Sequence, residues 1–458
     1  MKKIYTGLQR QFSHSRSTSA SRAEQRNGEN PRPPRRSTSI ALLEGATHRH
    51  RRRLRSNTTP PAHFSSNPGL CRLVLTSGTP EIDRLTVQHF QEEGFTVSFL
   101  PYNGNPKEYD SQLQQLEDPL EPGDKYAIVD PINTAYGEPA TFVLEACVKP
   151  MPKLCAVVAY YPNHVPNVGP AFDSSIHVQI HLAGTQGFSP QCLSFLYTDA
   201  DVGFAERNRG QYDEISAKLA WSRALSCLRR GFAMDIDIES AWENHISLEF
   251  SAKDADAAMG TVTHDRPDLN FVPTMTGGKL GVPRFPLFFF PPAALYSEPG
   301  EITDTTAPCA IGIGYKNFSR FYSDFVIPCN PPSLKARLVS RTVGTDQIVD
   351  ETHVSFTHTQ EIPWMLPGVP PTDKFVEIAV VNVVSIRGGK VCHRQVYWDH
   401  ASVLVQIGLL DPKLVPPGFK ASGNGGQQIN RLPVVGAEGA RKVLDKTSGR
   451  GNELISSW

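Results

Sequence analysis

From residue 71 onward the chain alternates short apolar segments with helical ones, and this alternation limits the fold more than any other feature. The apolar segments carry few polar residues, which is typical of strands buried on both faces of a parallel sheet. One long amphipathic helix over residues 212–232 closes the pattern. We therefore predict an α/β doubly wound sheet, with strands at 72–76, 95–100, 126–129, 154–160, 177–182 and 193–197.

The pattern changes near residue 238, which we take as a domain boundary. A helical segment over 242–263 is followed by a Pro- and Gly-rich stretch and then by long strands with alternating polarity. A helix followed by an antiparallel sheet is an α+β arrangement, distinct from the preceding region. The strands are expected at 335–343, 347–360, 374–387 and 390–399. The predicted organisation is an extension (1–68) and two domains (69–237 and 238–458).

The formal net charge is zero, but it conceals an uneven distribution. Residues 1–56 contain 14 Lys and Arg residues against three Glu, so the rest of the chain is acidic. Residues 1–68 are rich in Ser, Arg and Pro and lack hydrophobic periodicity, so we predict a disordered extension. Mitochondrial or nuclear targeting by this extension is an open alternative to a cytoplasmic location. Because the acidic remainder has no basic patch, we expect no nucleic-acid partner.

Several classes of protein are not expected from the sequence. The chain contains no apolar run of the roughly 20 residues that a membrane span requires. Its eight cysteines never form a Cys-x-x-Cys pair, so neither a zinc site nor a disulfide framework is indicated. No glycine-rich dinucleotide motif follows a strand, and no phosphate-binding loop or metal-ligand cluster is present. We therefore predict no cofactor and no metal.

The segment AYGEPATFVLEACVKPMPKLCAVVAYYP (135–162) resembles the dienelactone hydrolase (carboxymethylenebutenolidase) family of the α/β-hydrolase fold. Further matches are HLAGTQ (181–186), FLYTDADVGFAE (195–206) and YDEISAKLAWSRAL (212–225). The resemblance covers about residues 71–232. It implies an α/β-hydrolase-like first domain.

The resemblance also implies that the catalytic triad is lost. Such a hydrolase needs a nucleophile at a strand-to-helix turn, a histidine base and an acid that orients the histidine. Those three positions fall on Gly137, Val202 and Gln186, so the domain resembles a pseudoenzyme. Residual hydrolase activity is the alternative. The remaining histidines of this domain are expected at the surface or at strand ends: His164, His177 and His181.

The segments SFTHTQEIPWMLPGVPPTDKFVEI (355–378) and SIRGGKVCHRQVYWDHASVLVQIGLL (385–410) resemble the SnoaL-like polyketide cyclases. The matching motifs are a Thr-His-Thr strand, a Pro-Thr turn, a Gly-Gly-Lys hairpin and a Trp-Asp strand end. In Pro371-Thr372-Asp373, Asp373 replaces a turn glycine, which is a mild change. The resemblance implies a cone of the nuclear transport factor 2-like fold, with an atypical insertion over 279–314. We predict a retained intron there, with a lid over the cone as the alternative.

The cyclase resemblance assigns acid–base roles to two residues. Asp399 takes the position of the general base, and His358 is placed to polarise a substrate carbonyl. A carboxylate becomes a stronger base when an apolar cone desolvates it. The alternative is that Asp399 caps the strand end and the cone binds a ligand without chemistry. The predicted substrate-binding residues are Trp364, His393, Tyr397 and Trp398.

We therefore predict an acid–base enzyme of the cyclase, isomerase or dehydratase type that acts on a small carbonyl or polyketide-like compound. A lactone or ester hydrolase is one alternative, and a non-catalytic ligand-binding or dimerisation protein is another. The resemblance further implies a homodimer that pairs through residues 335–400.

Overall fold

A computed structural model describes residues 71–132, 138–166, 172–186, 193–265, 267–277, 315–416 and 431–455. All of these residues belong to one unit, which comprises residues 52–458. We call residues 71–237 the first region and residues 238–455 the second region. The predictions about the extension 1–68, about Gly137 and about the insertion 279–314 concern positions outside the described residues.

The described strands of the first region form a parallel sheet of six strands in the order β2-β1-β3-β4-β5-β6. This order is that of a doubly wound sheet, in which the chain changes direction beside β1. The parallel sheet that we predicted from the alternation of apolar and helical segments is therefore confirmed. The strands are β1 (Cys71–Ser77), β2 (Thr96–Pro101), β3 (Lys125–Ile132), β4 (Leu154–Tyr160), β5 (His177–Ala183) and β6 (Ser194–Tyr197). The helices are α1 (Arg84–Glu92), α2 (Pro106–Gln114), α3 (Glu138–Ala146) and α4 (Glu214–Phe232).

The described strands of the second region form a five-stranded sheet in the order β7-β11-β10-β9-β8. All neighbours are antiparallel except β7 and β11, which run parallel. The strands are β7 (Asp268–Phe271), β8 (Lys335–Val343), β9 (Gln347–Thr357), β10 (Phe375–Arg387) and β11 (Lys390–Trp398). The helices are α5 (Ile238–Ile246), α6 (Ala255–Gly260), α7 (Tyr315–Phe321), α8 (His400–Ile407) and α9 (Glu438–Leu444).

One face of this second sheet packs against the helices, and we call it the inner face. Along β10 the even-numbered residues from Val376 to Ile386 are buried, whereas the odd-numbered ones are not. This alternation follows from the two-residue period of a strand. The buried rows join residues of α5 and α7, including Trp242 and Phe318, in one hydrophobic core.

The helical segment predicted over 242–263 is not continuous. The end of α5 runs into a π-helix over Ser247–Ala252. Lys253 then adopts a left-handed conformation with φ of 52°. Such a conformation ends a helix, because side chains other than glycine tolerate it only as single residues. The Asp254 side chain accepts a hydrogen bond from the backbone N–H of Ala257 and thereby begins α6.

Candidate functional site

A buried arginine lies at the centre of the inner face of the second sheet. Arg394 on β11 donates from Nη1 to Oε2 of Glu249 at 2.6 Å. Its Nε and Nη2 both donate to Oδ1 of Asn382 on β10, at 3.2 and 3.0 Å. Arg394 is only 4% exposed and Glu249 only 1%. A charged pair removed from water to this extent persists because its geometry is good and further hydrogen bonds satisfy it.

Two proton-carrying side chains adjoin this arginine. Arg394 Nη1 also donates to the hydroxyl oxygen of Tyr322 at 2.9 Å. That hydroxyl lies 3.2 Å from Nε2 of His245, whose Nδ1 lies 2.7 Å from the Thr261 hydroxyl. His245 and Tyr322 are both fully buried. We call the five residues His245, Glu249, Tyr322, Asn382 and Arg394 the inner-face cluster.

Burial determines the protonation states within the inner-face cluster. Desolvation, reinforced by the charge of Arg394, lowers the pKa of His245 to about 3, so the imidazole is neutral at physiological pH. Desolvation also raises the pKa of Tyr322. Burial alone would lower the pKa of Arg394, but Glu249 and Tyr322 outweigh it and the pKa is raised. The cluster thus holds one ion pair beside two neutral groups that can each donate or accept a proton.

Helix α5 is fixed against the sheet next to the cluster. Trp242 donates from Nε1 to Oδ2 of Asp350 at 2.7 Å, and Asp350 in turn pairs with Arg341 at 2.6 Å. The Trp242 ring stacks on His245 with centroids 5.4 Å apart. It also lies 5.2 Å from the Arg394 guanidinium. These contacts hold the His245 ring in one orientation.

An aromatic wall lies along the same inner face. The rings of Phe271, Trp364 and Trp398 contact one another, with centroid distances of 4.8 Å from Phe271 to Trp364 and 5.7 Å from Trp364 to Trp398. Trp398 follows Arg394 by four residues on β11, which corresponds to about 13 Å along the strand. The structure therefore brings together the predicted binding residues Trp364 and Trp398. They lie on the same face of the sheet as Arg394, at the C-terminal end of β11.

The other two predicted binding residues lie on the opposite face of β11. Tyr397 is 38% exposed, and its hydroxyl donates to Gln395 Oε1 at 2.6 Å. His393 Nδ1 lies 3.1 Å from Oδ2 of Asp268 on β7. Successive strand residues point to opposite faces, so a residue adjacent to inward-pointing Trp398 points outward. Neither Tyr397 nor His393 lines the inner face with Trp398.

The predicted general base caps a helix. The Asp399 carboxylate accepts hydrogen bonds from the backbone N–H and the hydroxyl of Ser402, at 3.2 and 2.5 Å, at the N-terminus of α8. The residue is exposed. The desolvation that the catalytic prediction requires is therefore not found, and the geometry is that of the capping alternative.

His358 continues the inner row of β9 beyond the strand end, and it is 0% exposed. Its Nδ1 lies 3.0 Å from the Thr372 hydroxyl. Among the described residues its Nε2 has no hydrogen-bond partner, and burial lowers its pKa. Val380 on β10 pairs with Trp398 on β11 and with Thr352 on β9, so Trp398 and Thr352 lie at the same height in the sheet. Asp399 follows Trp398 by one residue and His358 follows Thr352 by six, so the two are offset by five residues, about 16 Å along the strand direction. The structure thus does not bring Asp399 and His358 together.

Two of the three positions to which the hydrolase resemblance assigns a triad lie within the described residues. Val202 packs against a hydrophobic core cluster. The Gln186 side chain binds backbone only: its Nε2 donates to the Pro162 carbonyl and its Oε1 accepts from the Ala183 N–H, both at 2.9 Å. The assignment of these positions to a lost hydrolase triad stays a prediction.

One histidine of the first region differs from its prediction. His164 and His177 are exposed, but His181 is fully buried in the middle of β5. Desolvation lowers the pKa of His181 to about 3. The Gln179 amide donates to its Nε2, and its Nδ1 lies against the Tyr197 hydroxyl, each at 2.8 Å. Burial of this histidine is tolerated because neutral partners, Gln179 on its own strand and Tyr197 on β6, satisfy both ring nitrogens.

The inner-face cluster itself was not foreseen from the sequence. Its members come from three separate segments, and Glu249 and Arg394 are 145 residues apart. One signal was present: Arg394 and Asn382 occupy core-facing positions in strands whose other core-facing residues are apolar. A charged residue at such a position requires a buried partner.

Within the described ranges, no three His, Cys, Asp or Glu residues are grouped so as to hold a metal ion. No helix in that part of the chain is both long and apolar enough to cross a membrane.

Comparisons with known proteins relate the chain to solved structures. No family model matches the sequence, and no curated protein matches it. A protein from Jannaschia sp. CCS1 assigned as a SnoaL-like polyketide cyclase is 14% identical, with 39% of this chain and 98% of that chain covered and a TM-score of 0.25. IdmH from Streptomyces antibioticus, assigned as a polyketide cyclase, is 15% identical, with 38% and 99% covered and a TM-score of 0.24.

A third solved structure is a protein with a ketosteroid isomerase-like fold from Catenulispora acidiphila. It is 14% identical, with 38% of this chain and 94% of that chain covered and a TM-score of 0.22. None of these three proteins is a dienelactone hydrolase, and the hydrolase-like identity of the first region stays a prediction.

Proposed function

We propose that the second region is a SnoaL-like acid–base enzyme of the cyclase or isomerase type, acting on a small carbonyl compound at the inner face of its sheet. The observation that carries the proposal is the inner-face cluster. It places a neutral histidine, a tyrosine hydroxyl and a carboxylate in one buried group. Buried groups of this kind are the usual participants in general acid–base catalysis.

The cluster supports a division of roles. Tyr322 is the donor that polarises a substrate carbonyl: Arg394 donates to its oxygen, and the hydroxyl proton, which faces His245 Nε2 in this structure, would turn to the substrate. His245 Nε2 lies 3.2 Å from that hydroxyl and 3.7 Å from Glu249 Oε2, and His245 beside Glu249 takes up the proton that the substrate loses. The wall of Phe271, Trp364 and Trp398 would bind the apolar part of the same compound.

This proposal shifts the acid–base role away from the pair that the sequence favoured. Asp399 is exposed and is already engaged as a helix cap. His358 remains a candidate for a polar contact with substrate, because its Nε2 is buried without a partner among the described residues.

The test is a screen of the purified protein against lactones, ring-forming polyketides and isomerisable enones, with turnover and ligand-induced thermal stabilisation measured in parallel. Turnover of an enone or a polyketide, reduced about 10²–10⁴-fold in His245→Gln, is expected. Turnover that is unchanged in a folded His245→Gln variant would contradict the proposal.

Ligand binding without chemistry is a second candidate, and one observation favours it. Each polar side chain of the inner-face cluster already has a partner inside the protein. Thermal stabilisation by a compound that is not turned over would support this candidate over catalysis.

A further inference from the structure

The two regions are joined by a buried carboxylate. Glu93, at the end of α1, accepts a hydrogen bond from Arg229 Nη2 on α4 at 2.6 Å. Its other oxygen accepts from the backbone N–H of Gly388, in the turn between β10 and β11, at 3.1 Å. Glu93 is 3% exposed and Arg229 is 8% exposed. The turn of the second region is therefore held directly by the end of α1 and, through Glu93, by α4.

Further polar contacts surround this carboxylate. Arg387 donates to Glu92 Oε2 at 2.7 Å and to Asp265 Oδ2 at 3.4 Å. Asp265 Oδ2 also lies 3.0 Å from Nε2 of His89 on α1. We call the contacts of Glu92, Glu93, Arg229, Arg387 and Gly388 the clasp.

A second loop of the second region contacts α4 beside the clasp. The Ser222 hydroxyl donates to Asp346 Oδ1 at 2.6 Å. Arg229 also donates to the carbonyl oxygen of Thr345. The first region therefore contacts two turns of the second region. It contacts the β8–β9 turn through Ser222 and Arg229, and the β10–β11 turn through the clasp.

The turn is shaped to approach α1 closely. Gly388 has φ of 56°, and a Cβ at this position would lie 2.9 Å from the carbonyl oxygen of Glu92. The adjacent Gly389 has φ of 72°, but a Cβ there would have no atom within 4 Å. Both glycines permit the turn, whereas only Gly388 permits the contact between regions.

We propose that the first region is a clamp that holds the β10–β11 hairpin through the clasp and thereby positions the inner-face cluster. The hairpin joins the two strands that carry Asn382 and Arg394, so the clasp fixes the register and spacing of that pair. This role needs no catalytic group in the first region.

The two neighbouring glycines provide a matched test in the full-length chain. Gly388→Ala and Gly389→Ala carry the same strain from a positive φ, but only the first places a methyl group against α1. In hydrogen exchange, Gly388→Ala is expected to raise the exchange rates about tenfold or more at the end of α1 and along β11 as far as Arg394. Gly389→Ala is expected to change only the turn. Equal exchange in the two variants would overturn the proposal, as would an increase confined to the turn in both.

A double-mutant cycle gives an independent test should Gly388→Ala fail to fold. Glu93→Gln, Arg229→Met and the double variant are compared by exchange at Arg394. Coupling of the two changes is expected, because each removes the partner of the other. Asp110→Asn, which breaks the exposed pair with Lys149 in the same region, is the control. Effects at Arg394 that are additive, or no larger than in the control, would contradict the clamp. Both tests measure structure, so they remain informative even if no substrate is ever found.

Discussion

The two regions each bury a histidine completely, and they do so in different ways. His181 in the first region lies between the Gln179 amide and the Tyr197 hydroxyl and stacks on Tyr160 at 4.4 Å. His245 in the second region lies beside Tyr322 and 3.7 Å from the Glu249 carboxylate. Desolvation lowers both pKa values to about 3. The two sites differ in their neighbours: His181 is bonded to neutral side chains in the core, whereas His245 lies beside an ion pair and a tyrosine hydroxyl with which it can exchange a proton.

The largest expected effect comes from breaking the ion pair of the second region. Glu249→Gln leaves Arg394 as a buried charge without a charged partner, which should cost about 3–5 kcal/mol of unfolding free energy. The measurement is urea unfolding at neutral pH.

The control for this change is Glu214→Gln on α4. Glu214 forms an exposed ion pair with Lys218 at 2.9 Å, in which both side chains are about half exposed or more. Exposed pairs of this kind contribute at most about 1 kcal/mol. If Glu249→Gln cost no more than this control, the inner-face cluster would not hold a strong ion pair.

The comparison also shows what the sequence could and could not predict. Apolar continuity and alternation are local properties, so the bounds of Leu154–Tyr160 and Lys335–Val343 agree with the structure at both ends. Pairing between segments is not local: nothing near Arg394 in the sequence indicates that Glu249 is its partner.

The candidate site was harder to predict than the fold for a related reason. The sequence assigned Tyr397 and Trp398 to one wall, but adjacent residues of a strand point to opposite faces. Asp399 was assigned from its position in a motif, and an Asp immediately before a helix is also a preferred N-cap. Only the structure distinguishes these two roles.

Lowering the pH should destabilise both regions through their buried histidines. Each imidazole is neutral in the folded protein and takes up a proton when the protein unfolds. Its contribution to the free energy of unfolding is therefore fully present above about pH 6.5, and it is lost as the pH falls towards the folded pKa of about 3. At pH 5 each should contribute about 2 kcal/mol less than at pH 7. Unfolding free energies measured from pH 7 to pH 5 test this, and a constant value would show that these histidines are not buried in neutral form.

A smaller effect is expected from the neutral histidine site. Tyr197→Phe removes the hydroxyl that contacts His181 Nδ1 and leaves a buried ring nitrogen unsatisfied. The expected loss is about 1–3 kcal/mol. Because the proposed acid–base groups all lie in the second region, lactone hydrolysis and any other turnover should not change beyond the loss of folded protein. A specific loss of activity in folded Tyr197→Phe would assign chemistry to the first region.

The smallest expected effect concerns the helix cap. Asp399→Ala removes the acceptor for Ser402 and should cost about 0.5–2 kcal/mol. Asp399→Asn retains an N-cap acceptor and should cost less than the alanine variant. Thermal unfolding of the two variants ranks them, and the reverse order would contradict the capping role.

The relative kcat values of Tyr322→Phe and Asp399→Asn, on whichever compound the screen identifies, test the central claim most directly. Tyr322→Phe removes the hydroxyl group from the inner-face cluster and keeps the ring, which stacks on Phe318 with centroids 4.9 Å apart. We predict that kcat falls about 10²–10⁴-fold in Tyr322→Phe and stays within about threefold of the parent value in Asp399→Asn, because Asn is as good an N-cap as Asp. A large loss in Asp399→Asn with full activity in Tyr322→Phe would contradict the account and return the chemistry to the strand end.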